Sequence, residues 1–308
     1  MITILLAAYN GASYLAEQVE SILAQGYPDW QLVIQDDCST DQTAEIAKRY
    51  CEREPERIRF VQRATPSGSA KANFSSMIAY VQTEYAMTCD QDDVWLSDKL
   101  QKTIEEMHRL EHEYGKETPL LVHTDLAVVN DRLEIIAPSI FWLQKLNAKR
   151  DRLNNLLVQN IVTGCTMCIN RALSEKAGAI PQEALMHDWW FALVGAAFGK
   201  IGFVRQPTVL YRQHGDNAVG AKDAGSLGYI GGRLRKLSET KAAVHATFLQ
   251  AQAFHDRYEN ELLEKDRRII AQYLEFPKAN RLKKWKMLFQ YDFWKSGTIR
   301  RIGQLFLM

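Results

Sequence analysis

The sequence predicts an α/β protein, a mainly parallel central sheet with helices on both faces, followed by an α-helical C-terminal extension. Three observations carry this. Over the first hundred residues, short apolar runs alternate with longer helix-patterned stretches, as in strands joined by crossover helices. Two of the runs end in acidic clusters, Asp36-Asp37 and Asp90-Gln91-Asp92-Asp93, at the strand ends where open α/β sheets place ligands. From about Lys222 onward the alternation stops.

Taken in order, Ile2 to Ala8 reads as a strand running into the turn Tyr9-Asn10-Gly11, and Ser13 to Gln25 as a helix. Gln31 to Gln35 reads as a strand, Thr40 to Glu52 as a helix and Arg57 to Gln62 as a strand. Ala70 to Gln82 reads as a helix, Tyr85 to Thr88 as a buried strand and Asp98 to Tyr114 as a helix. Leu120 to Val122 reads as a further strand, which would leave His123, Thr124 and Asp125 at its exit, either lining a ligand or forming a turn. Trp189 to Phe198 reads as a helix. Gly225 to Gly232 reads as a linker, Leu234 to Tyr273 as one or two amphipathic helices, and Pro277 breaks that pattern.

Composition narrows the function classes. The 308 residues carry a net charge of +1, which argues against a whole-surface nucleic-acid binder. Met1 to Ala8 lacks the basic start of a signal peptide, and no apolar stretch approaches the roughly 20 residues of a membrane-spanning helix. Five cysteines without framework spacing suit a reducing compartment. The lone C-x-x-C of Cys165 and Cys168 lacks the second pair that a zinc site needs. No G-x-G-x-x-G follows the first strand, and Gly195 to Lys200 only imitates a phosphate-binding loop, with Ile201 where Ser or Thr should stand.

The aspartate block carries the strongest chemical signal. Crowded carboxylates raise one another's pKa, and a hard divalent cation relieves the repulsion. A solvated helix N-terminus capped by Ser97 is the competing reading.

Ala8-Tyr9-Asn10-Gly11, Asp36-Asp37-Cys38-Ser39-Thr40-Asp41 and Asp90-Gln91-Asp92-Asp93-Val94-Trp95, in this order and spacing, resemble a family 2 glycosyltransferase of the GT-A nucleotide-sugar fold. The resemblance continues through Thr163-Gly164-Cys165-Thr166-Met167, His187-Asp188-Trp189-Trp190 and Tyr211-Arg212-Gln213-His214-Gly215. These later blocks resemble bacterial rhamnosyltransferases of cell-wall polysaccharide and O-antigen assembly. The resemblance implies a catalytic domain over residues 1–220, with a nucleotide-sugar half at 1–100 and an acceptor half at 101–220, and a helical region at 221–308.

The resemblance also implies roles. Asp92 would lie near ribose and metal, Asp93 on the metal, and His214 would complete the metal shell, with magnesium or manganese as the ion. Asp37 would accept a hydrogen bond from the base, with Ala8 and Tyr9 packed around it and Gly164 beside the donor sugar. Lys71 would contact nucleotide or phosphate, or stand as a plain surface lysine. Asp188 would be the base that takes the acceptor hydroxyl's proton in an inverting transfer, against the alternative of a helix N-cap. Asn160, Thr163, Trp189 and Trp190 would face the acceptor, and His187 would support the site from behind.

The tail from Lys278 onward interleaves eight Lys and Arg residues with Trp285, Leu288, Phe289, Phe293, Trp294, Leu305 and Phe306, against the single acid Asp292. This fits a helix lying on anionic lipid, or alternatively a packed helix or a subunit interface of a homo-oligomer. The expectation is therefore a metal-dependent inverting transferase moving L-rhamnose from dTDP-β-L-rhamnose to a lipid-linked saccharide. It would work in the cytoplasm on the inner face of the bacterial plasma membrane. A UDP-hexose donor, or a scaffold without turnover, is the alternative.

Overall fold

A computed structural model of the chain describes residues 1–214 and 237–307. The first half alternates as expected: β1 (Ile2–Ala8), α1 (Leu15–Leu23), β2 (Trp30–Asp36), α2 (Thr43–Arg53), β3 (Ile58–Gln62), α3 (Ala70–Met77), β4 (Tyr85–Asp90), β5 (Val94–Trp95) and α4 (Lys99–Tyr114). There follow β6 (Leu120–Val129), β7 (Ile135–Ala137), α5 (Ile140–Leu143), α6 (Leu153–Leu156), β8 (Cys168–Asn170), α7 (Arg171–Ala177), α8 (His187–Phe198) and β9 (Lys200–Arg212). The extension holds α9 (Leu237–Tyr258), α10 (Glu264–Glu275), α11 (Arg281–Gln290) and α12 (Thr298–Leu307). The expected boundary at 220/221, Gly215, Lys222, the linker Gly225 to Gly232 and Leu234 lie outside the described residues.

The described residues form a nine-stranded sheet in the order β3-β2-β1-β4-β8-β6-β9-β5, with β7 paired to β6. Strands β3, β2, β1 and β4 are parallel, as crossover helices dictate. The other half is mixed, which the expectation of a mainly parallel sheet did not include. Three-residue β8 runs antiparallel to both β4 and β6, β9 is parallel to β6, and β5 is antiparallel to β9.

Alternation along β1 explains the layers. Ile2, Ile4 and Leu6 face a core closed by Leu15, Val19 and Ile22 of α1, Ala47 of α2 and Leu100 and Ile104 of α4. Leu5 and Val33 face the other way, onto Phe74 and Met77 of α3. Each such side chain fully buried contributes about 1.5–3 kcal/mol of hydrophobic free energy.

A second core joins α6 and α8 to the extension: Trp190, Phe191 and Leu193 pack with Phe254, Tyr258, Ile270 and Tyr273. Leu288 and Phe293 of the basic tail are buried in it. Those two apolar side chains are therefore core residues and not part of a lipid-facing surface. The stretch Leu234 to Tyr273 resolves into the separate helices α9 and α10. Among the described residues, no helix is long and apolar enough to cross a membrane.

Four strands, β5, β7, β8 and β9, escaped the sequence reading. The longest, β9, carries Pro207 in its middle, which argues against a strand on pattern alone. A bulge absorbs it: Thr124 pairs with Val204 but Asp125 with Pro207, so two residues of β9 loop out. Strand β6 also runs on to Val129, so His123, Thr124 and Asp125 are buried strand residues and not an exit turn. Ser97 makes no cap, since α4 begins after Asp98 without a side-chain cap bond.

Candidate active site

The C-terminal ends of β1, β2 and β4 meet at one sheet edge and are tied together by side chains. The amide of Gln91 makes a two-way bond with the backbone of Tyr9: Tyr9 N–H donates to Oε1 at 2.8 Å, and Nε2 donates to the Tyr9 carbonyl at 2.9 Å. Asn10, in the left-handed region at φ 47°, accepts from Thr40 N–H at 2.8 Å, and its own N–H donates to Ser39 Oγ at 2.8 Å. Cys38 is left-handed as well, at φ 63°, the kind of backbone strain that a ligand loop holds in place.

Gly11 makes the Gln91 clamp sterically possible. A Cβ there would lie 2.1 Å from Gln91 Oε1. Gly11→Ala is therefore expected to expel the clamp, cost about 1–3 kcal/mol of stability and weaken nucleotide-sugar binding roughly tenfold, in keeping with two lost hydrogen bonds. Calorimetric titration and thermal unfolding check it; unchanged affinity would separate the clamp from donor binding.

Ala8 is sealed in the core, and its carbonyl holds Asp37 N–H at 2.8 Å, while the ring of Tyr9 is exposed. Asp37 itself accepts from Ser67 N–H at 2.7 Å and Ser67 Oγ at 2.5 Å and pairs with Arg63 Nε at 3.1 Å. Lys71, on the first turn of α3, donates to the carbonyls of Gln182 and Ala184 at 2.6 and 2.7 Å. It thus pins the loop leading to α8, which neither sequence reading of it foresaw.

The aspartate block has two levels. Asp92, part-buried, pairs with His214 Nε2 at 2.8 Å, and the His214 ring stacks on Tyr14 at 4.8 Å. Beneath it Asp93 is 0% exposed; its Oδ1 accepts Arg212 N–H at 3.3 Å. Pairing of Val94 with Leu210 across β5 and β9 delivers Arg212 and His214 to this point. The Arg212 guanidinium donates to the Asp92 carbonyl at 3.0 Å and to the Asp131 carbonyl at 2.5 Å, and it pairs with Glu17. Sequence reasoning missed Arg212, Glu17 and Gln91 as site-building residues. No local pattern marks a partner 195 positions away.

Burial, then the nearby carboxylates of Asp92 and Asp188, pushes Asp90 up to about 7. Burial, then Asp90 and Asp92, drives Asp93 well above the usual carboxylate range. Two donor sets are therefore available to a cation. Asp90, Asp93 and Cys165 offer ligand-type atoms within 4.8 Å of one another, but burial pushes the Cys165 thiol well up, and a protonated sulfur suits neither magnesium nor manganese. The oxygen and imidazole pair of Asp92 and His214, with the Asp90 carboxylate nearby, fits such an ion.

Asp188 sits in the first turn of α8, after the N-cap Met186. Its carboxylate accepts Trp189 N–H at 2.6 Å, and Gly164 N–H and the Asn160 amide lie near it and favour its charged form. Burial outweighs them and pushes Asp188 up to about 7. Gly164 opens a 3-10 turn (Gly164–Thr166) whose carbonyl is held by Thr88 Oγ1 of β4 at 2.6 Å. A Cβ at Gly164 would stand 3.0 Å from His187 Nε2 and 3.7 Å from Asp188 Oδ2, so glycine here permits the close approach. His187 is buried against Phe74 and held neutral, its pKa lowered to about 3 by burial.

The four expected acceptor residues divide. Asn160 and Thr163 flank the Gly164 turn and are part-buried. Trp189 is part-buried, its Nε1 donating to the Leu156 carbonyl at 2.6 Å. Trp190 is 0% exposed and packs edge-on against Phe254 at 5.5 Å. The expectation that it faces the acceptor is corrected: its position two residues beyond Asp188 turns it inward, and a ring sealed in the core has no face to offer a sugar.

Comparison with known proteins identifies the family and the fold. The profile of Glycosyl transferase family 2 matches residues 3–176. The dTDP-rhamnosyl transferase RfbG of Shigella flexneri is 28% identical over 229 residues, 70% of this chain and 74% of that protein. The putative teichuronic acid biosynthesis glycosyltransferase TuaG of Bacillus subtilis is 37% identical over 107 residues, 35% of this chain; the match spans only 42% of that relative. Among solved structures, S. aureus TarS 1-349 in complex with UDP-GlcNAc aligns with a TM-score of 0.58 at 17% identity, covering 94% of this chain and 80% of that one. The mannosyltransferase PcManGT of Pyrobaculum calidifontis, in complex with GDP-Man and Mn2+, aligns at 0.54 and 17%, covering 99% and 78%. At these identities the structural likeness establishes the GT-A fold.

Proposed function

The chain belongs to glycosyltransferase family 2, and we propose that it transfers L-rhamnose, with inversion, from dTDP-β-L-rhamnose to a hydroxyl of a lipid-linked saccharide. The observation that carries the chemistry is the meeting of Asp188, in the first turn of α8, with the end of β4: the Gly164 turn is held by Thr88 of β4 at 2.6 Å and lies against the Asp188 carboxylate, whose charge raises the pKa of Asp90. The choice of sugar is supported by the likeness to RfbG over most of both chains.

The acceptor hydroxyl is placed on the face of the sugar ring opposite the leaving group. As its oxygen bonds to the anomeric carbon, its proton passes to an Asp188 carboxylate oxygen, the bond from the anomeric carbon to the diphosphate oxygen breaks, and dTDP departs. The β-linked donor thus yields an α-L-rhamnoside. Trp189 N–H holds the carboxylate in place, with Gly164 N–H and the Asn160 amide beside it, and the Gly164 turn borders the donor sugar. Asp37 and the exposed Tyr9 take the nucleoside. Asp92 and His214 would hold a magnesium or manganese ion, with Asp90 beside them; Asp93, expected on the metal, is instead enclosed beneath this pair, where it accepts Arg212 N–H. When bound, that ion neutralises the charge that develops on the diphosphate.

In this reading residues 1–220 form the catalytic domain and 221–308 the helical region, whose basic tail rests on the inner face of the plasma membrane, where the lipid-linked acceptor lies. The experiment that tests the function is a panel of nucleotide sugars, dTDP-rhamnose beside UDP-glucose, UDP-galactose and UDP-N-acetylhexosamines, scored for metal-dependent binding and nucleotide release. Selective release of dTDP is the expected result. Preference for a UDP sugar would overturn the rhamnose assignment and leave the base and metal roles standing.

A further inference from the structure

Beside the buried half of the tail lies an outer face of large, exposed side chains. Helix α11 turns Met287 and Leu288 inward and presents Leu282, Trp285 and Phe289 outward, at 78%, 42% and 72% exposure. Spaced three and four apart, they share one side of the helix. Lys286 falls on the same side, and Lys283 and Arg281 flank it, all exposed.

This face connects to the catalytic half. Phe289 packs edge-on against Trp294 at 5.2 Å, and the chain then turns through Gly297 into α12. There Arg300 Nη1 donates to the Gln144 carbonyl just after α5, at 2.5 Å. The next residue, Lys145, holds its ammonium 4.4 Å from the ring of Trp142, which is itself 62% exposed. Two exposed aromatic groups from distant parts of the sequence are therefore linked by way of Trp294, the start of α12 and the Arg300–Gln144 hydrogen bond, each with cations beside it.

We propose that the outer face of α11 and Trp142 form a single docking surface for an anionic lipid bilayer. The inference deepens the membrane reading given above and rests on it: the docking element extends beyond the tail onto the catalytic half, fixing the orientation of the site toward lipid-borne acceptors. Charge selects the occupant. From Lys278 to the end there are eight cations and one acid, Asp292, and that acid is bound by Arg150 at 3.2 Å. Large apolar side chains ringed by lysine and arginine suit the headgroup boundary of a negatively charged leaflet.

The test is co-sedimentation of the full chain with vesicles of phosphatidylcholine alone or with about 30% phosphatidylglycerol, a composition that presents a negative surface, without donor present. Wild type is expected to bind the anionic vesicles at least about tenfold more tightly than the neutral ones. The Trp285→Ser/Phe289→Ser variant should lose about tenfold, Lys283→Glu/Lys286→Glu a similar factor, and Trp142→Ser about threefold, as burial of fewer apolar groups and fewer cations dictates. All are surface changes, and circular dichroism confirms that each variant is folded. Equal binding by wild type and variants, or none by wild type, overturns the proposal. So does a wild-type dimer in light scattering that the same variants dissociate. Wild-type binding by Trp142→Ser, while the α11 variants lose theirs, keeps the tail on the membrane and overturns the single surface; because no sugar donor is involved, failure of the rhamnose assignment leaves either result intact.

Discussion

Asp188→Asn is expected to lower transfer turnover by about 10²–10⁴-fold, the range that a positioned general base supplies, while donor affinity stays within about threefold. The amide keeps the size of the side chain and an oxygen to accept Trp189 N–H, and loses the charge and the ability to take a proton. Burial pushes Asp188 up to about 7, so in wild type the rate should rise about tenfold per pH unit below that value and level off above it. The variant should lose this limb. Stability gives an independent check with the opposite sign. A carboxyl whose folded pKa is raised binds its proton more tightly in the folded state, so its contribution to stability falls as pH climbs from the unfolded value toward about 7. Asparagine cannot ionise, and the variant should therefore melt higher than wild type at pH values above about 7. A folded Asp188→Asn protein with near-wild-type turnover would end the assignment.

How far the sequence foretold this site depends on the distance over which each signal acts. Strands β1 to β4 and helices α1 to α4 were legible because hydrophobic periodicity is local, and β1 emerges with the expected limits, Ile2 and Ala8. The acidic strand ends were legible for the same reason. Strand β9 was not, since its bulge and Pro207 make sense only opposite β6. His214 was reached through resemblance; its pairing with Asp92 depends on β5 meeting β9, a contact between segments more than a hundred residues apart. Arg212 lay in the same resembling block, but nothing local marked its bonds to Asp92 and Glu17. Trp189 and Trp190 look alike in sequence, and only the turn of α8 sends one to the rim and the other into the core. In the tail, Leu288 and Phe289 are likewise neighbours with opposite fates.

The two levels of the aspartate block lead to the other large effect. Asp92→Asn should weaken manganese-dependent donor binding by at least about 100-fold, since it removes the carboxylate that meets His214 at 2.8 Å and with it an ionic ligand to a hard cation. Asp93→Asn should do far less, staying within about tenfold. Asp93 is fully enclosed and burial raises its pKa, so a neutral amide there costs less than at Asp92. Metal binding should also release protons and tighten as pH rises through about 7, where Asp90 gives up its own. Calorimetry in two buffers of different ionisation enthalpy measures that release together with the affinities. If Asp93→Asn proves as damaging as Asp92→Asn, with its fold intact, the ion belongs to the inner level with Asp90, and the outer pair serves the nucleotide instead.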